Sequence, residues 1–323
     1  MGATGLTSSL DARGPAAAEI AFLWWLMFGI AAVVFVIVLG ALAYALMRAR
    51  REGQRPEDPA KASRQGNRAV LWLGAIIPAL ILTVVFGFNV RSLVVLAGPP
   101  SRDEALTIQA VGHQFWWEIR YLRPGQSDGE AVVSANEVWL PVGQRVRLEV
   151  TGDDVIHSFW IPSLHGKIDT IPGETNVFWL EADREATLRG LCAEFCGLQH
   201  ANMAFIVRAV PPQDFDTWLA GQERPSPVPA TAAALRGRQI FLGAACVYCH
   251  AIRGTNASGR IGPDLTHFAS RETIGAGLLE NNRGNLAGWT VNAQALKPGN
   301  RMPPMYLDGD SLQDLLTYME TLR

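Results

Sequence analysis

The chain is poor in cysteine and in charge, and each shortage excludes a class of protein. It has only four cysteines among 323 residues, which is too few for a disulfide scaffold of this size. A net charge of -2 gives no general field for polyanions and argues against nucleic acid as the main partner. Only 18% of residues are charged and 49% are hydrophobic, which excludes low-complexity disorder for the chain as a whole. The length indicates about two domains, and the apolar excess predicts a part that lies in lipid.

Two long segments near the N-terminus, residues 20–47 and 69–90, contain no Asp, Glu, Lys, Arg or His. A helix that crosses the hydrocarbon core, about 30 Å thick, needs roughly 20 apolar residues, so each segment predicts one crossing. The loop between them, residues 48–68, carries three acids against seven basic residues: Arg48, Arg50, Arg51, Arg55, Lys61, Arg64 and Arg68. Positive loops stay in the cytoplasm. The pattern predicts a two-helix transmembrane hairpin with both termini outside.

Two other forms of anchorage are less consistent with the sequence. A cleaved signal peptide would have a basic first region, but the first apolar segment follows Asp11, Arg13 and Glu19 and is too long. A lipid-anchored N-terminus is unsupported because no cysteine precedes Cys192.

Residues 106–210 show short alternating runs separated by Gly, Pro, Asn and Asp, which is typical of antiparallel strands. In the clearest run, residues 145–150, Val146 and Leu148 fall on a packed face and Glu149 on a solvent face. Similar runs lie at residues 106–111, 115–122, 176–181 and 205–210. This number of strands predicts a small sandwich or Greek-key barrel.

One loop of this β region concentrates soft metal donors. Cys192, Cys196, His200 and Met203 lie within twelve residues, and His157 lies about one hairpin upstream. Thiolate, thioether and imidazole donors select copper or zinc, and the thioether favours copper. Because both cysteines can bridge, two ions could share the loop. A Cys192–Cys196 disulfide, a tetrahedral zinc site and the thiol pair of a copper chaperone remain alternatives.

The apolar pair of segments followed by three motifs resembles subunit II of haem-copper cytochrome c oxidases, from about residue 20 to residue 220. The motifs are His157-Ser-Phe-Trp-Ile-Pro-Ser-Leu, Ile171-Pro-Gly and Cys192-x-Glu194-x-Cys196-Gly-x-x-His200-x-x-Met203. The resemblance implies a dinuclear copper centre, CuA, on a cupredoxin fold. The carboxylate of Glu194 would also reach a magnesium ion at the boundary with subunit I.

The resemblance also implies a role for each copper ligand. Cys192 and Cys196 would bridge the two ions. His157 and Met203 would complete one copper, while His200 and the backbone carbonyl of residue 194 would complete the other.

An aromatic strand, residues 113–121, resembles the strand through which the family takes up electrons. The family usually has tryptophan as the first aromatic, but this chain has Phe115. The candidates for electron uptake are therefore Phe115, Trp116 and Trp117. His113 and His165 are predicted to be structural.

A proline-rich stretch, residues 221–230, predicts a semi-rigid extended spacer. Beyond it, Cys246-Val-Tyr-Cys249-His250 has the spacing of c-type haem attachment, in which the cysteines form thioethers and the histidine ligates iron. Taken alone, the two cysteines of this motif could also be a thioredoxin-like thiol pair. The surroundings favour haem: Gly237-x-x-x-Phe241, Ile261-Gly-Pro263-Asp-Leu265, Met302-Pro303 and a final helix capped by Asp310 or Ser311.

The C-terminal segment resembles class I cytochrome c over nearly its whole length. The resemblance implies a low-spin haem c with His250 and Met302 as axial ligands and with the Pro263 carbonyl orienting His250. Met305 is the alternative methionine, and His267 is a weaker competitor. Trp289 would meet a haem propionate.

Together the two resemblances identify the chain as a caa3-type oxidase subunit II, a membrane-anchored multidomain protein. The predicted divisions are an outer segment 1–19, a hairpin 20–95, an all-β cupredoxin domain 96–220, a linker 221–234 and a small all-α cytochrome domain 235–323. The expected location is the bacterial inner membrane, with both outer domains on the periplasmic face.

The expected function is electron transfer from cytochrome c or a similar donor to haem c, then to CuA, then to the haem of subunit I. Oxygen reduction and proton pumping would belong to subunit I, so no catalytic residue is expected in this chain; subunit III and lipid are further expected partners. A membrane-bound copper-delivery or thiol-redox protein and a stand-alone membrane electron carrier are the alternatives. The first leaves the haem motif unexplained, and the second predicts no co-purifying subunit.

Overall fold

A computed structural model describes residues 8–51 and 59–323. The chain divides into two compact units, residues 18–97 and residues 1–17 with 98–323. The first seven residues of the predicted outer segment, and residues 52–58 of the predicted basic loop with Arg55, lie outside the described residues.

The described residues of the unit 18–97 lie almost entirely in long helices. The helix α1 spans Pro15–Arg51, and α2 (Pro59–Leu71) continues through a π-helical turn, Trp72–Ile76, into α3 (Ile77–Leu96). Each of the two resulting helices is long enough to cross a bilayer. Each contains an 18-residue stretch with a mean hydropathy above 2, and no residue of that stretch is buried. Near the ends of α1 and α3, the Glu19 carboxylate accepts hydrogen bonds from Arg91 at 3.1 Å and from the Ser92 hydroxyl at 3.0 Å. The predicted pair of apolar helices is confirmed.

Ten strands form two five-stranded sheets in the second unit. The first sheet has the order β3-β2-β1-β5-β8, with β1 Thr107–His113, β2 Trp116–Leu122, β3 Val132–Ala135, β5 Val146–Gly152 and β8 Asn176–Leu180. The second has the order β4-β10-β9-β6-β7, with β4 Glu137–Pro141, β6 His157–Trp160, β7 Ile168–Thr170, β9 Ala186–Cys192 and β10 Ala204–Val210. The pairs β1–β5 and β4–β10 are parallel and the others antiparallel. The predicted β fold is confirmed as a cupredoxin-like sandwich.

Strand β5 shows how the sandwich buries its core and where the alternation misleads. Val146 and Leu148 are at most 1% exposed, as their spacing predicts. Glu149 was expected in solvent, but it is only 4% exposed. Arg102 and Arg147 cover it and donate to its carboxylate. Burial alone would raise its pKa, but these hydrogen bonds outweigh burial and lower the pKa of Glu149 to about 2.

The C-terminal domain is mainly helical. After α4 (Pro212–Gln222), it contains α5 (Ala232–Gly243), the short α6 (Cys246–Cys249), α7 (Arg283–Leu296) and α8 (Gly309–Met319), with a two-stranded pair β11 (Thr273–Ile274) and β12 (Leu279–Glu280). Helices α5 and α8 cross closely at Gly237, where an added Cβ would overlap the carbonyl oxygen of Asp314. The expected cap of α8 is corrected: Asp308, not Asp310 or Ser311, accepts the hydrogen bond from the Ser311 amide at 2.8 Å.

The proline-rich linker is anchored to the helical domain. Both the amide and the hydroxyl of Ser226 donate to the carbonyl of Arg253, at 3.0 and 2.9 Å. The ring Nε2 of His267 lies 3.1 Å from the carbonyl oxygen of Arg224. The linker is therefore tied down over its first half, and His267 has a structural partner.

Candidate copper and haem sites

The soft donors of the sandwich converge at one end of the second sheet. His157 begins β6, Cys192 ends β9, and the loop returns through Met203 to β10. The strand pairing continues into the loop, because the Cys192 amide donates to the carbonyl of Met203 at 2.9 Å. The backbone thus fixes the loop at both ends. His157 and Cys192 are thirty-five residues apart in the sequence, and the pairing of β6 with β9 brings them together.

Five side chains meet within a few ångströms. The Sγ atoms of Cys192 and Cys196 are 3.8 Å apart. The Nδ1 of His157 lies 3.9 Å from Cys192 Sγ, and the Nδ1 of His200 lies 3.8 Å from Cys196 Sγ. The Sδ of Met203 is 3.8 Å from Cys196 Sγ. The structure therefore brings together all the side-chain donors that the sequence nominated.

The carbonyl oxygen of Glu194 completes this set, while its carboxylate points elsewhere. The carbonyl lies 3.2 Å from Cys192 Sγ. The carboxylate is half exposed and pairs with Lys167 at 3.2 Å. The backbone of this residue is thus placed for the copper site, and its side chain is available to a ligand outside it.

The outer nitrogen of His157 is held by Asp154. Its Nε2 lies 2.9 Å from Asp154 Oδ1, and His157 is completely buried. Because Nε2 then carries the proton, Nδ1 is left free on the side of the thiols. Burial lowers the pKa of His157, but the bonds to Asp154 and Cys192 outweigh burial and raise it.

The two thiols behave as a pair. The hydrogen bond from Cys196, reinforced by the His157 ring, lowers the pKa of Cys192, and the same contact together with burial raises the pKa of Cys196. A bound metal ion would require both thiols to lose their protons.

This donor set fits a metal site and does not fit a disulfide. Cys192 and Cys196 are not joined by a disulfide, and their sulfur separation of 3.8 Å is far longer than the roughly 2.05 Å of a disulfide. At a metal–sulfur distance of about 2.3 Å, this separation would correspond to an angle of roughly 110° at a shared ion. The Met203 thioether at the same place favours copper over zinc.

The c-type haem motif borders a cavity of about 310 Å³. Cys246, Cys249 and His250 all line it. The Nδ1 of His250 lies 2.8 Å from the carbonyl oxygen of Pro263, which confirms the predicted contact and leaves Nε2 free. A Cβ on Gly262 would lie 2.7 Å from His250 Cε1, so glycine is needed beside the ring. Burial lowers the pKa of His250 and favours the neutral imidazole that a metal ligand requires.

The cavity fits a haem in its chemistry. Met302, Met305 and Trp289 all line it, so both candidate methionines face the same space as His250. Arg271 also lines the cavity and would offer a positive charge to an acidic group of a ligand bound there. His267 is absent from the described lining residues and faces the linker.

The three candidate aromatics for electron uptake occupy different positions. Phe115 and Trp116 line the haem cavity, although they belong to the sandwich. Trp117 is 0% exposed, and its ring centroid lies 5.9 Å from that of His157. His113 stacks on Trp116 at 4.4 Å, and burial lowers the pKa of His113.

His165 is packed like a core residue. Its ring lies 5.0 Å from that of Phe178, and its Nδ1 lies 3.2 Å from the carbonyl oxygen of Gly166. Burial lowers the pKa of His165. These contacts are consistent with the structural role predicted for it.

Sequence reasoning missed three residues that complete these sites: Asp154, Arg271 and Lys297. Asp154 had a usable signal, since an acid three residues before a candidate ligand histidine can hold its outer nitrogen. Arg271 and Lys297 had none, because they reach the sites only through tertiary packing.

Two families match the chain. Residues 125–210 match the family described as "Cytochrome C oxidase subunit II, periplasmic domain", and residues 234–323 match "Cytochrome c". The first of these families implies CuA copper and the second implies haem c, in agreement with the donor sets above.

The similarity to two relatives extends over most of the chain and so includes both matched regions. The cytochrome c oxidase subunit 2 of Alkalihalophilus pseudofirmus is 35% identical over 100% of this chain and 92% of the relative. That of Bacillus sp. is 31% identical over 85% of this chain and 79% of the relative. The crystal structure of the periplasmic domain of subunit II of cytochrome oxidase (CoxB) of Bradyrhizobium japonicum is 33% identical, with 39% of this chain and 97% of that one covered and a TM-score of 0.35. The chain belongs to the cytochrome c oxidase subunit II family and carries a C-terminal cytochrome c domain.

Proposed function

We propose that this chain passes electrons from a soluble cytochrome c or similar donor through haem c and CuA to the haem of subunit I. One observation carries the proposal: the cavity that contains the haem-attachment residues is also lined by Phe115 and Trp116 of the copper domain. When bound, haem c and the dinuclear copper centre each take up and release single electrons.

The haem domain supplies attachment and orientation. Cys246 and Cys249 would attach the haem covalently, and His250 and Met302 would ligate its iron. The Pro263 carbonyl fixes the plane of the His250 ring at 2.8 Å. A histidine–methionine pair raises the reduction potential of a haem, which suits an electron carrier.

The sandwich supplies a rigid copper site. Cys192 and Cys196 would hold both copper ions, His157 and Met203 would complete the ligands of one ion, and His200 and the carbonyl of residue 194 would complete those of the other. The two cysteines, Met203 and His157 are at most 7% exposed. A buried site anchored on two adjacent strands resists rearrangement when its charge changes, which favours fast electron transfer.

Phe115 and Trp116 form the inferred route between the centres. Both lie at the haem cavity, and the side-chain amide of their neighbour Gln114 donates to the carbonyl of Cys196 at 2.7 Å. Trp117 lies in the core against His157. We therefore assign the transfer contact to the first two rings and a packing role to Trp117.

The remaining partners follow from the family and from the exposed groups of the chain. The half-exposed carboxylate of Glu194 would meet a magnesium ion at the boundary with subunit I. The apolar helices would place both outer domains on the periplasmic face of the inner membrane in a two-pass topology, with subunit III and lipid as neighbours. Oxygen reduction coupled to proton pumping would take place in subunit I.

Purification in mild detergent tests the proposal. We expect a large polytopic subunit to co-purify, and about two copper atoms and one iron atom per copy of this chain beyond those of that subunit. We also expect a pyridine haemochrome of covalent haem c and the near-infrared absorption of a mixed-valence copper pair. Copper and haem without a partner subunit or oxygen uptake would indicate a stand-alone carrier, and absence of either centre would refute the electron route.

A further inference from the structure

The haem domain is joined to the sandwich by hydrogen bonds that surround the copper loop. We call this contact the domain interface; its haem-domain side is residues 272–301. The amide of Ala204 donates to the carbonyl of Ala276 at 3.1 Å. The amide of Glu272 donates to the carboxylate of Glu137 at 2.8 Å. The side chain of Gln199, inside the copper loop, donates to the carbonyl of Pro298 at 2.9 Å.

Lys297 lies at the centre of the domain interface. It is 1% exposed. Its ammonium donates to the carbonyl oxygens of Phe115 at 2.9 Å, Asn202 at 2.7 Å and Gly275 at 2.7 Å. Burial lowers the pKa of Lys297 to about 7; in its charged form the three N–H donors of the side chain match these three acceptors.

These three acceptors divide between the two domains. Phe115 and Asn202 belong to the sandwich, whereas Gly275 belongs to the same domain as Lys297. A buried ammonium is costly unless its donors are satisfied. The full set of partners exists only while the domains are docked in this orientation.

The position of Lys297 connects this contact to both candidate centres. The residue lies five positions before Met302, the proposed axial ligand. Its partner Asn202 precedes Met203, and its partner Phe115 lines the haem cavity. In the same segment, Arg301 donates to Asp154 at 3.0 Å, and Asp154 holds the outer nitrogen of His157.

We propose that Lys297 is a positioning residue that holds the haem domain in one docked orientation on the copper loop, so that electron transfer between the two centres needs no search by a mobile domain. This inference rests on the proposed function and specifies how its two centres are kept together. A docked pair differs from a tethered mobile domain because only the mobile domain must diffuse before each transfer.

Labelling of lysines in the native chain tests the docked orientation without any variant. The chain has three lysines, Lys61, Lys167 and Lys297. Lys167 has a side chain that is 49% exposed and provides the matched control within the same molecule. The full chain, with copper and haem bound in detergent, is treated with an amine acetylating reagent for increasing times, and each lysine is followed by mass spectrometry. The lowered pKa of Lys297 and the raised pKa of Lys167, which bonds to Glu194, would by themselves make Lys297 the faster to react. We nevertheless expect Lys297 to react at least about tenfold more slowly than Lys167, because only rare opening exposes it.

A Lys297→Met variant tests the effect on electron transfer. Removal of the Lys297 amine leaves the three carbonyls without this donor, which weakens the docked orientation. Arg236→Met is the control, because Arg236 pairs with Asp314 inside the haem domain, at 2.6 Å, and does not take part in the domain interface. The rate of electron transfer from haem c to CuA is measured after flash reduction, at low and high solvent viscosity.

The expected outcomes separate positioning from stability. In Lys297→Met, with haem and copper spectra unchanged, the rate falls by roughly tenfold or more and becomes dependent on viscosity. The unaltered chain and Arg236→Met stay independent of viscosity. Hydrogen exchange at the Ala204 and Glu272 amides, which cross the interface, accelerates in Lys297→Met alone.

Two results would overturn the inference: labelling of Lys297 as fast as that of Lys167, or a Lys297→Met rate equal to that of the unaltered chain with both spectra intact. If Lys297→Met does not fold, the labelling result decides. Absence of copper or haem from the unaltered chain would instead count against the proposed function, so the two failures are distinguishable.

Discussion

The two candidate metal sites of this chain differ in how completely the polypeptide builds them. In the sandwich, the ligand atoms of His157, Cys192 and Cys196 already lie within 4.8 Å of one another. In the helical domain, the attachment residues border a cavity of about 310 Å³.

The difference reflects how each domain makes its core. The sandwich packs two five-stranded sheets around buried side chains such as Trp117, Ile119 and Leu148. It therefore holds the copper ligands ready at its edge. The domain from residue 234 onwards matches cytochrome c over only 90 residues, a size at which a single core supplies little stability. In the proposed function, a haem in the cavity would supply the missing core.

The largest expected effect comes from removing haem attachment. In Cys246→Ser with Cys249→Ser, we expect complete loss of covalent haem and loss of cooperative folding of the haem domain, because the cavity remains unfilled. The copper site should keep its near-infrared absorption. Pyridine haemochrome analysis and hydrogen exchange of α5 and α8 measure the two effects. A haem domain that stays as protected as before would show that its core does not depend on the haem.

The reverse experiment removes a bridging thiolate. In Cys196→Ser, we expect loss of the dinuclear copper spectrum, because a hydroxyl does not replace a bridging thiolate for copper. Strands β9 and β10 should remain protected from exchange, since the copper ligands form only one end of the buried cluster of the sandwich and most of that cluster consists of other side chains. The covalent haem spectrum of the same sample is the control. Unfolding of the sandwich without copper would remove the contrast between the two domains.

The difference between the sites also explains what could be read from the sequence. The candidate cysteines of both sites lie in short local patterns with a neighbouring histidine, so Cys192-x-x-x-Cys196 and Cys246-x-x-Cys249-His250 could be read without a structure. The apolar helices and strand β5 follow from composition and alternation in the same way.

The features that escaped prediction depend on contacts distant in sequence. Lys297 lies 182 residues from Phe115, and no local pattern marks a lysine whose donors end on three carbonyls. Glu149 follows the alternation of β5 but is covered by Arg102, which lies 47 residues earlier. Alternation predicts only which face of the strand a side chain occupies. It does not predict whether another segment of the chain packs on that face.

A smaller effect is expected at the residue that holds a copper ligand from outside. In Asp154→Asn, the outer nitrogen of His157 loses its carboxylate partner, and we expect copper affinity to fall by about 10–100-fold. Asp153→Asn is the matched control, because the adjacent Asp153 is 59% exposed at its side chain and pairs with His113 instead. Competition with a copper chelator measures both. Equal affinity in the two variants would mean that the backbone alone positions His157.

The smallest expected effect is a change with pH in the stability of the sandwich that does not extend to the haem domain. The pKa of Glu149 is lowered from 4.5 to about 2 in the folded sandwich, so its ion pairs stabilise the fold above the unfolded pKa and are lost as pH falls through the folded value. Hydrogen exchange, corrected for intrinsic rates, should accelerate in β1 and β5 of the unaltered chain when the pH is lowered from about 5 to about 3. The acceleration should be smaller in Glu149→Gln, because this variant lacks the contribution of the ion pairs at either pH. Glu174→Gln, at an exposed acid of the same domain, should follow the unaltered chain. Because Glu149 and its two arginine partners all lie in the sandwich, helices α5 and α8 should show no difference between Glu149→Gln and the unaltered chain; a difference there would mean that the two cores are not independent.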